Sequence, residues 1–375
     1  MSDWYCPFPF KHIFVDSSGL SPCCNTVTDF GLDISIDQYV NHPKVLNLQK
    51  QFLDGKKPIE CKSCLLQENI QSKSMRLDGL EDYKHEIFNS SQFDFIHFSQ
   101  SNICNFKCRS CSPQYSHGIA LEMRQNTELS KFSDNKKFVS VNEHNHQWII
   151  NNLSNIKRLL ITGGEPTLMP EVRKIFEKIR QFQYPELNIM MTTNCSWTDD
   201  FWYDFIESMP NLHITASIDG IGHVAELVRH GTVWKQVEHN VQWLSKHAYS
   251  LDINTVISCL NINNLYPLLE FCRKLQIESM LENGGRQGDM GLRHQFSIAK
   301  ENVGIDNFPE HMKPSILEHL NQCLQLDLDH EERRVVQGVI MTVTNSKFNS
   351  DKWDRLVQYH SALDKIREEN HLALF

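Results

Sequence analysis

From residue 93 onward the chain switches repeatedly between two hydrophobic periods. Short stretches of alternating or continuous apolar character, the mark of strands, are followed by longer ones with apolar residues every three or four positions, the mark of helices. The first kind predicts strands at Phe93–Gln100, Arg158–Thr162, Leu187–Thr193, Leu212–Ile218, Ser250–Ile257 and Ile277–Leu281. The second predicts helices at Tyr115–Arg124, His144–Leu153, Pro170–Phe182, Val233–His247 and Leu265–Leu275. Regular alternation implies parallel pairing through right-handed crossovers, so the expected class is α/β, a partial (β/α)6 TIM-like barrel. In such barrels functional groups gather where strands meet the loops that follow them.

The two ends of the chain follow other patterns. The alternating segment His12-Ile13-Phe14-Val15-Asp16, a turn at Ser17-Ser18-Gly19 and a return to Pro22-Cys23-Cys24 predict a hairpin, and a helix is expected at Val45–Leu53. Beyond Pro309 helical periodicity predicts Lys313–Leu326, Glu331–Thr342 and Ser350–Glu369. The last carries an apolar stripe of Trp353, Leu356, Val357, Leu363 and Ile366 that reads as packing. The expected organisation is a small Cys-rich hairpin and helix module over 1–88, the barrel over 89–290 and a helical extension over 291–375.

Composition narrows the function. The 375 residues carry a formal net charge of -9, which disfavours a broad duplex nucleic-acid footprint. No apolar run approaches the roughly 20 residues that span a bilayer, and the first residues lack the basic and apolar regions of a signal peptide. A cytoplasmic protein without a membrane partner is expected. Twelve cysteines, several closely spaced, then point to metal binding rather than a disulfide framework.

Cys104, Cys108 and Cys111 are the sharpest such group. A cubane cluster with protein ligands alone takes four thiolates, so a compact triplet leaves one iron for an exogenous ligand. The triplet resembles the cluster motif of the radical S-adenosylmethionine (SAM) enzymes, in which SAM chelates that iron through its methionine amino and carboxylate groups. Downstream, Leu159-Leu160-Ile161 leads into Thr162-Gly163-Gly164-Glu165-Pro166, which resembles the GGEP turn of the same superfamily. The resemblance implies contacts from Gly163, Gly164, Glu165 and Pro166 to the methionine end of SAM. It also implies polar groups near SAM at Thr192-Thr193-Asn194, and a ribose contact from Ser217 in Ser217-Ile218-Asp219-Gly220, with Asp219 beside it. Arg229 falls where a subgroup carries an Arg that pairs with the SAM carboxylate, and Asn261 or Asn263 falls near the adenosine. Many members place an aromatic or large apolar residue before the third Cys; this chain has Ser110, and Phe106 stands in as the adenine contact.

A second set comprises Cys6, Cys23, Cys24, Cys61 and Cys64. Two hairpin thiols plus a CxxC knuckle supply four soft ligands, and chemistry alone accepts either zinc or an iron-sulfur cluster. The spacing of Cys6, Gly19 and Cys24 with the later CxxC is similar to the twitch module, the single-cluster form of the SPASM domain. That resemblance implies Cys6, Cys24, Cys61 and Cys64 as ligands of an auxiliary [4Fe-4S] cluster, with Cys23 a neighbour.

The Gly-rich stretch from Glu282 to His294 supplies Glu282, Arg286, Asp289 and His294 as candidates for binding or proton transfer. Cys195 and Cys259 lie near strand ends. The implied activity is reductive cleavage of SAM to a 5'-deoxyadenosyl radical that abstracts a substrate hydrogen, with oxidation or cross-linking assisted by the auxiliary cluster. The implied partners are an electron donor such as flavodoxin or ferredoxin and a peptide, sugar or other small-molecule substrate. A redox-neutral epimerase or mutase, or a non-catalytic metal-binding protein, are the alternatives.

Overall fold

The computed structural model describes residues 4–26, 30–71, 74–84, 87–88, 91–99, 101–132, 142–282, 293–299 and 303–375. They fall into two compact units, one from residues 1–101 and 136–191 and one from 102–135 and 192–375.

The first unit is built on strands β1 (His12–Asp16), β2 (Gly19–Ser21), β3 (Phe95–Ser99), β4 (Arg158–Ile161) and β5 (Asn188–Thr193), at whose end the chain passes into the second unit. The spatial order is β2-β1-β3-β4-β5. Only the β1–β2 pair is antiparallel; β1 with β3, β3 with β4 and β4 with β5 are parallel. The amino-terminal hairpin therefore extends the parallel sheet, with His12 opposite Phe95 and Asp16 opposite Ser99. All five residues of β1 and of β3 are buried, as parallel strands covered on both faces must be. Helix Pro170–Phe182 follows β4. Pro170 sets its first turn, and Val172, Ile175, Phe176 and Ile179 form the buried stripe.

The second unit carries β6 (Leu212–Ser217), β7 (Ser250–Ile257) and β8 (Arg293–Ile298), parallel throughout. Helix Trp234–His247 connects β6 to β7 and buries Val237, Val241 and Leu244. The helices Lys313–Cys323, His330–Asn345 and Ser350–Arg367 pack on a core that includes Ile257, Leu269, Leu320, Val336, Val339 and Leu356. The α/β class and the alternation of parallel strands with helices are as the sequence predicts.

One element is corrected. Ile277–Leu281 is not a strand but the end of a single helix, Leu265–Glu282. No Gly or Pro separates Leu275 from Ile277, so nothing stops the helix there. The strand that pairs with β7 is β8, in the register Ile253 with His294 and Thr255 with Phe296. Its polar composition hides it from a hydrophobicity pattern.

Two buried histidines make an acid-sensitivity prediction. Burial pushes His12 down to about 4 and His294 down to about 3, against an ordinary value of 6.5. Both stay neutral when folded, while the unfolded chain takes up protons as the pH falls below 6.5. Stability is therefore fully present above that value and is lost as the pH falls towards 4, at up to about 1.4 kcal/mol per pH unit for each group. The melting temperature should fall steadily from pH 7 to pH 5; a flat profile would contradict neutral burial of these rings.

Candidate active site

The triplet lies in the second unit, on a loop fixed by backbone pairing. Lys107 N donates to His230 O at 2.8 Å and Arg109 N to Val228 O at 2.8 Å, so residues 107–109 lie alongside residues 228–230. Gly231 permits that approach: its φ is +103°, and a Cβ there would sit 2.8 Å from Asn105 O. Cys104, Cys108 and Cys111 are half-buried, with Cys111 N bonded to Cys108 O at 3.0 Å. Burial, with Cys108 and Cys104 nearby, pushes the Cys111 thiol up to about 12. Burial also raises Cys108, although Arg229 acts against it. Loading a metal group must therefore drive protons off these thiols.

Beside the loop is a small cavity lined by Phe106, Asn194, Ser217, Asp219, Gly220, Arg229, Thr232 and Trp234 among others. Five of the residues expected from the sequence, Phe106, Asn194, Ser217, Asp219 and Arg229, thus converge at one place. Each is positioned by its own element. Ser217 ends β6, Arg229 caps helix Gly222–Val228, and Asn194 follows β5 with its Nδ2 donating to Asn105 Oδ1 at 2.9 Å. Asp219 is buried and braced: Val256 N donates to its Oδ1 at 2.8 Å and Arg229 Nη1 to its Oδ2 at 2.8 Å. Asn261 Nδ2 clamps the same turn by donating to Asp219 O and Val256 O. Asn261 is thus a brace under the cavity, while Asn263 donates to Leu374 O.

Arg229 carries the electrostatics of this cavity. Burial works against its charge, but Cys108 and Asp219 outweigh burial and raise it further. Its Nε is buried without a hydrogen-bond partner, a donor that an anionic or strongly accepting ligand would satisfy. The guanidinium carbon sits 5.9 Å from the Phe106 ring centre.

The Gly163–Pro166 turn belongs to the first unit. Gly163 has φ +115°, and a Cβ would lie 3.0 Å from Ser101 O; Gly164 N donates to that same oxygen at 3.0 Å. Glu165 is buried and caps the short turn Pro166–Leu168 by accepting from Thr167 N and Oγ1. Upstream, His97 on β3 is bonded to Thr162 Oγ1 through Nε2 at 2.7 Å.

The second cysteine set also lies in the first unit, around a separate cavity lined by Cys6, Cys23, Cys61, Cys64, Phe8, Asn25, Phe52, Met75 and Arg76. Cys61 closes the turn Ile59–Cys61 and Cys64 lies in helix Lys62–Gln71, so the CxxC pair shares one helical face. Cys24 is exposed, its thiol 3.6 Å from Met75 Sδ. Arg76 is held at the cavity wall by Glu68, at 2.6 and 2.9 Å, by Tyr5 O at 2.9 Å and by the Trp4 ring at 4.0 Å.

Residues 98–272 match the model of the Radical SAM superfamily. That stretch contains the triplet, the Gly163–Pro166 turn and every residue named at the second unit's cavity. Residues 98–272 are a radical SAM domain. The domain is that of an enzyme, and its family implies a [4Fe-4S] cluster and SAM. Among sequence relatives, GTP 3',8-cyclase of Campylobacter lari is 26% identical over 207 residues, 53% of this chain and 60% of that protein. GTP 3',8-cyclase of Helicobacter pylori is 23% identical over 189 residues, 49% of this chain and 54% of that protein. The chain thus spans little more than half the length of these relatives. Among solved structures, Streptococcus suis SuiB bound to its precursor peptide SuiA has a TM-score of 0.41 at 13% identity, covering 84% of this chain and 68% of SuiB. A likeness of that size says nothing about substrate.

Within that stretch the three free thiols of the triplet could hold iron, and Arg229 has a buried Nε without a hydrogen-bond partner that a carboxylate would satisfy. Of the four substrate-side candidates, Arg286 and Asp289 lie outside the described residues, as does the side chain of Glu282. His294 is not on a loop but buried on β8. Thr255 Oγ1 donates to Ile218 O at 2.7 Å and receives the His294 Nε2 proton at 2.8 Å. The sequence reading missed Trp234 and Thr232, which no motif flags, and Arg109, whose partners lie 118 to 260 residues away.

Among the described residues no helix is long and apolar enough to cross a membrane.

Proposed function

We propose that the chain is a radical SAM enzyme that holds two [4Fe-4S] clusters and oxidises its substrate. Cys104, Cys108 and Cys111 hold the cluster that binds SAM, and a set built on Cys6, Cys61 and Cys64 holds the auxiliary one. The observation that carries this reading is the presence of two separate thiol-lined places, one of them beside a cavity with an unmatched arginine donor. When bound, SAM at a reduced cluster supplies a 5'-deoxyadenosyl radical that abstracts a substrate hydrogen.

The chain's own residues do the positioning. Arg229, oriented by Asp219, offers its Nε to the SAM carboxylate, and Ser217 offers a hydroxyl to the ribose. Phe106 provides the apolar wall for the adenine. In the auxiliary set four protein thiolates leave no open iron, which suits electron transfer rather than substrate ligation.

Cys6, Cys23, Cys61 and Cys64 line one cavity, a soft donor set that both zinc and a cubane accept, and the resemblance to the twitch module favours the cubane.

The full chain, reconstituted anaerobically, should bind about eight irons and eight sulfides. The Cys61→Ala, Cys64→Ala double variant should keep about four, still cleave SAM under dithionite, and fail to form oxidised product. Oxidised product from folded double variant would rule out the electron-acceptor role; bound zinc without sulfide would rule out the auxiliary cluster.

A further inference from the structure

The auxiliary site contains five cysteines, one more than a cubane needs, and two of them are adjacent in sequence. Cys23 and Cys24 open a turn closed by Thr26 N donating to Cys23 O at 3.2 Å, and of the two only Cys23 lines the cavity. The backbone around them fixes which one turns inward. Gly19 takes φ +112° because a Cβ would meet Leu32 O at 2.4 Å, and Leu20 and Leu32 exchange backbone hydrogen bonds at 2.8 and 3.0 Å. After β2, His12 Nδ1 donates to Pro22 O at 2.7 Å, Ser21 Oγ to Cys23 O at 3.2 Å and Thr26 N to Cys23 O at 3.2 Å. Four anchors across eight residues leave little freedom to rotate this segment.

With that backbone, Cys23 is the thiol that lines the cavity with Cys6, Cys61 and Cys64. Only 9% of its surface is exposed. Cys24 is exposed and does not line the cavity; its thiol rests 3.6 Å from Sδ of Met75 at the cavity's edge. We propose that the auxiliary cluster is ligated by Cys6, Cys23, Cys61 and Cys64, and that Cys24 is a non-ligating surface thiol. This assignment departs from the spacing by which the sequence resembles the twitch module, where the position of Cys24 is the ligand. It rests on the reading of the site as an iron-sulfur centre.

The test isolates that centre. In a chain with Cys104, Cys108 and Cys111 all changed to Ala, anaerobic reconstitution should leave about four irons and four sulfides, and dithionite should develop the EPR signal of a reduced cubane. Adding Cys23→Ala should reduce the iron to well under one per chain and abolish the signal. Adding Cys24→Ala should leave both unchanged. Loss on Cys24→Ala with retention on Cys23→Ala would overturn the assignment, and so would retention in both. A background chain that binds no iron-sulfur cluster would sink the cluster reading itself, a result that cannot be confused with an exchange of ligands.

A labelling experiment removes dependence on the folding of the Cys23 variant. In the wild-type holoprotein a maleimide should modify Cys24 with no loss of iron and leave Cys23 untouched until a chelator strips the cluster. Protection of Cys24 together with modification of Cys23 at full iron content would contradict the proposal.

Discussion

Cys108→Ala protein, reconstituted without oxygen, is expected to drop from about eight irons per chain to about four and to release no 5'-deoxyadenosine above a buffer control. Cys108 stands next to Arg229 and is one of the thiols that the radical SAM domain offers to iron. Its backbone, which accepts from Cys111 N at 3.0 Å, is unchanged by the substitution, so the loop should keep its path while losing a ligand. A cube held by two thiolates and no third has no stable open iron at which SAM can chelate. Cys259→Ala is the matched control. That thiol is fully buried after β7, and its removal should cost some packing but leave iron content and SAM cleavage intact. Full iron and full cleavage in the Cys108 variant would remove the triplet from the chemistry.

Arg109→Met is expected to destabilise the second unit by about 3–5 kcal/mol and to lower the occupancy of the SAM cluster with it. Arg109 lies between Cys108 and Cys111 in sequence, yet its side chain is 0% exposed and pairs with Asp364. Its guanidinium donates to Asp364 and, at 2.6 Å, to Glu369 Oε2, and also to Leu227 O and His360 O. Burial alone would raise both acids. Hydrogen bonds from His371 and Arg109 outweigh it at Asp364, and those from His230 and Arg109 do so at Glu369, so both sit below their ordinary values. A second tie runs in parallel, with Glu122 accepting from Lys107 at 2.5 Å and from Arg367 at 2.7 Å. The end of helix Ser350–Arg367 and the residues after it thus hold the cluster loop from behind. Removing the arginine leaves two half-buried carboxylates with only His371 and His230 as side-chain partners, whereas Arg109→Met combined with Asp364→Asn and Glu369→Gln should recover part of the loss. Arg109→Lys should fall between, because one ammonium cannot serve two carboxylates and two carbonyls in a fixed fork. Equal iron content and melting temperature in Arg109→Met would show that the ties carry no load.

These two variants differ in how visible their residues are in sequence. The triplet, the Gly163–Pro166 turn and the CxxC pair are local: ligands within eight residues, or a turn after an apolar strand, leave a spacing that survives without a structure. Phe106, Asn194, Ser217, Asp219 and Arg229 are distant from one another, but each ends or follows an element whose period is clear, so their convergence follows from the strand-helix alternation. Arg109 carries no such signal, since its partners lie 118 to 260 residues further on and nothing in the pattern pairs them. The exchange of Ile277–Leu281 for β8 has the opposite cause: a short apolar run does not discriminate helix from strand, and a polar strand held by backbone pairing leaves no hydrophobic period. The parallel docking of β1 onto β3 was equally silent. A hairpin predicts its own antiparallel partner, but its outer edge can pair with any strand that presents the matching register.

The central claim is that the thiol triplet and the Arg229 cavity together bind and cleave SAM, and one measurement tests it most directly. The reconstituted full chain is mixed with SAM and dithionite under anaerobic conditions, and 5'-deoxyadenosine and methionine are counted by liquid chromatography. The account predicts both products in a ratio of about one to one, dependent on reductant and absent from the Cys108→Ala chain. A chain that carries its full iron and sulfide, binds SAM and yet forms neither product would contradict it.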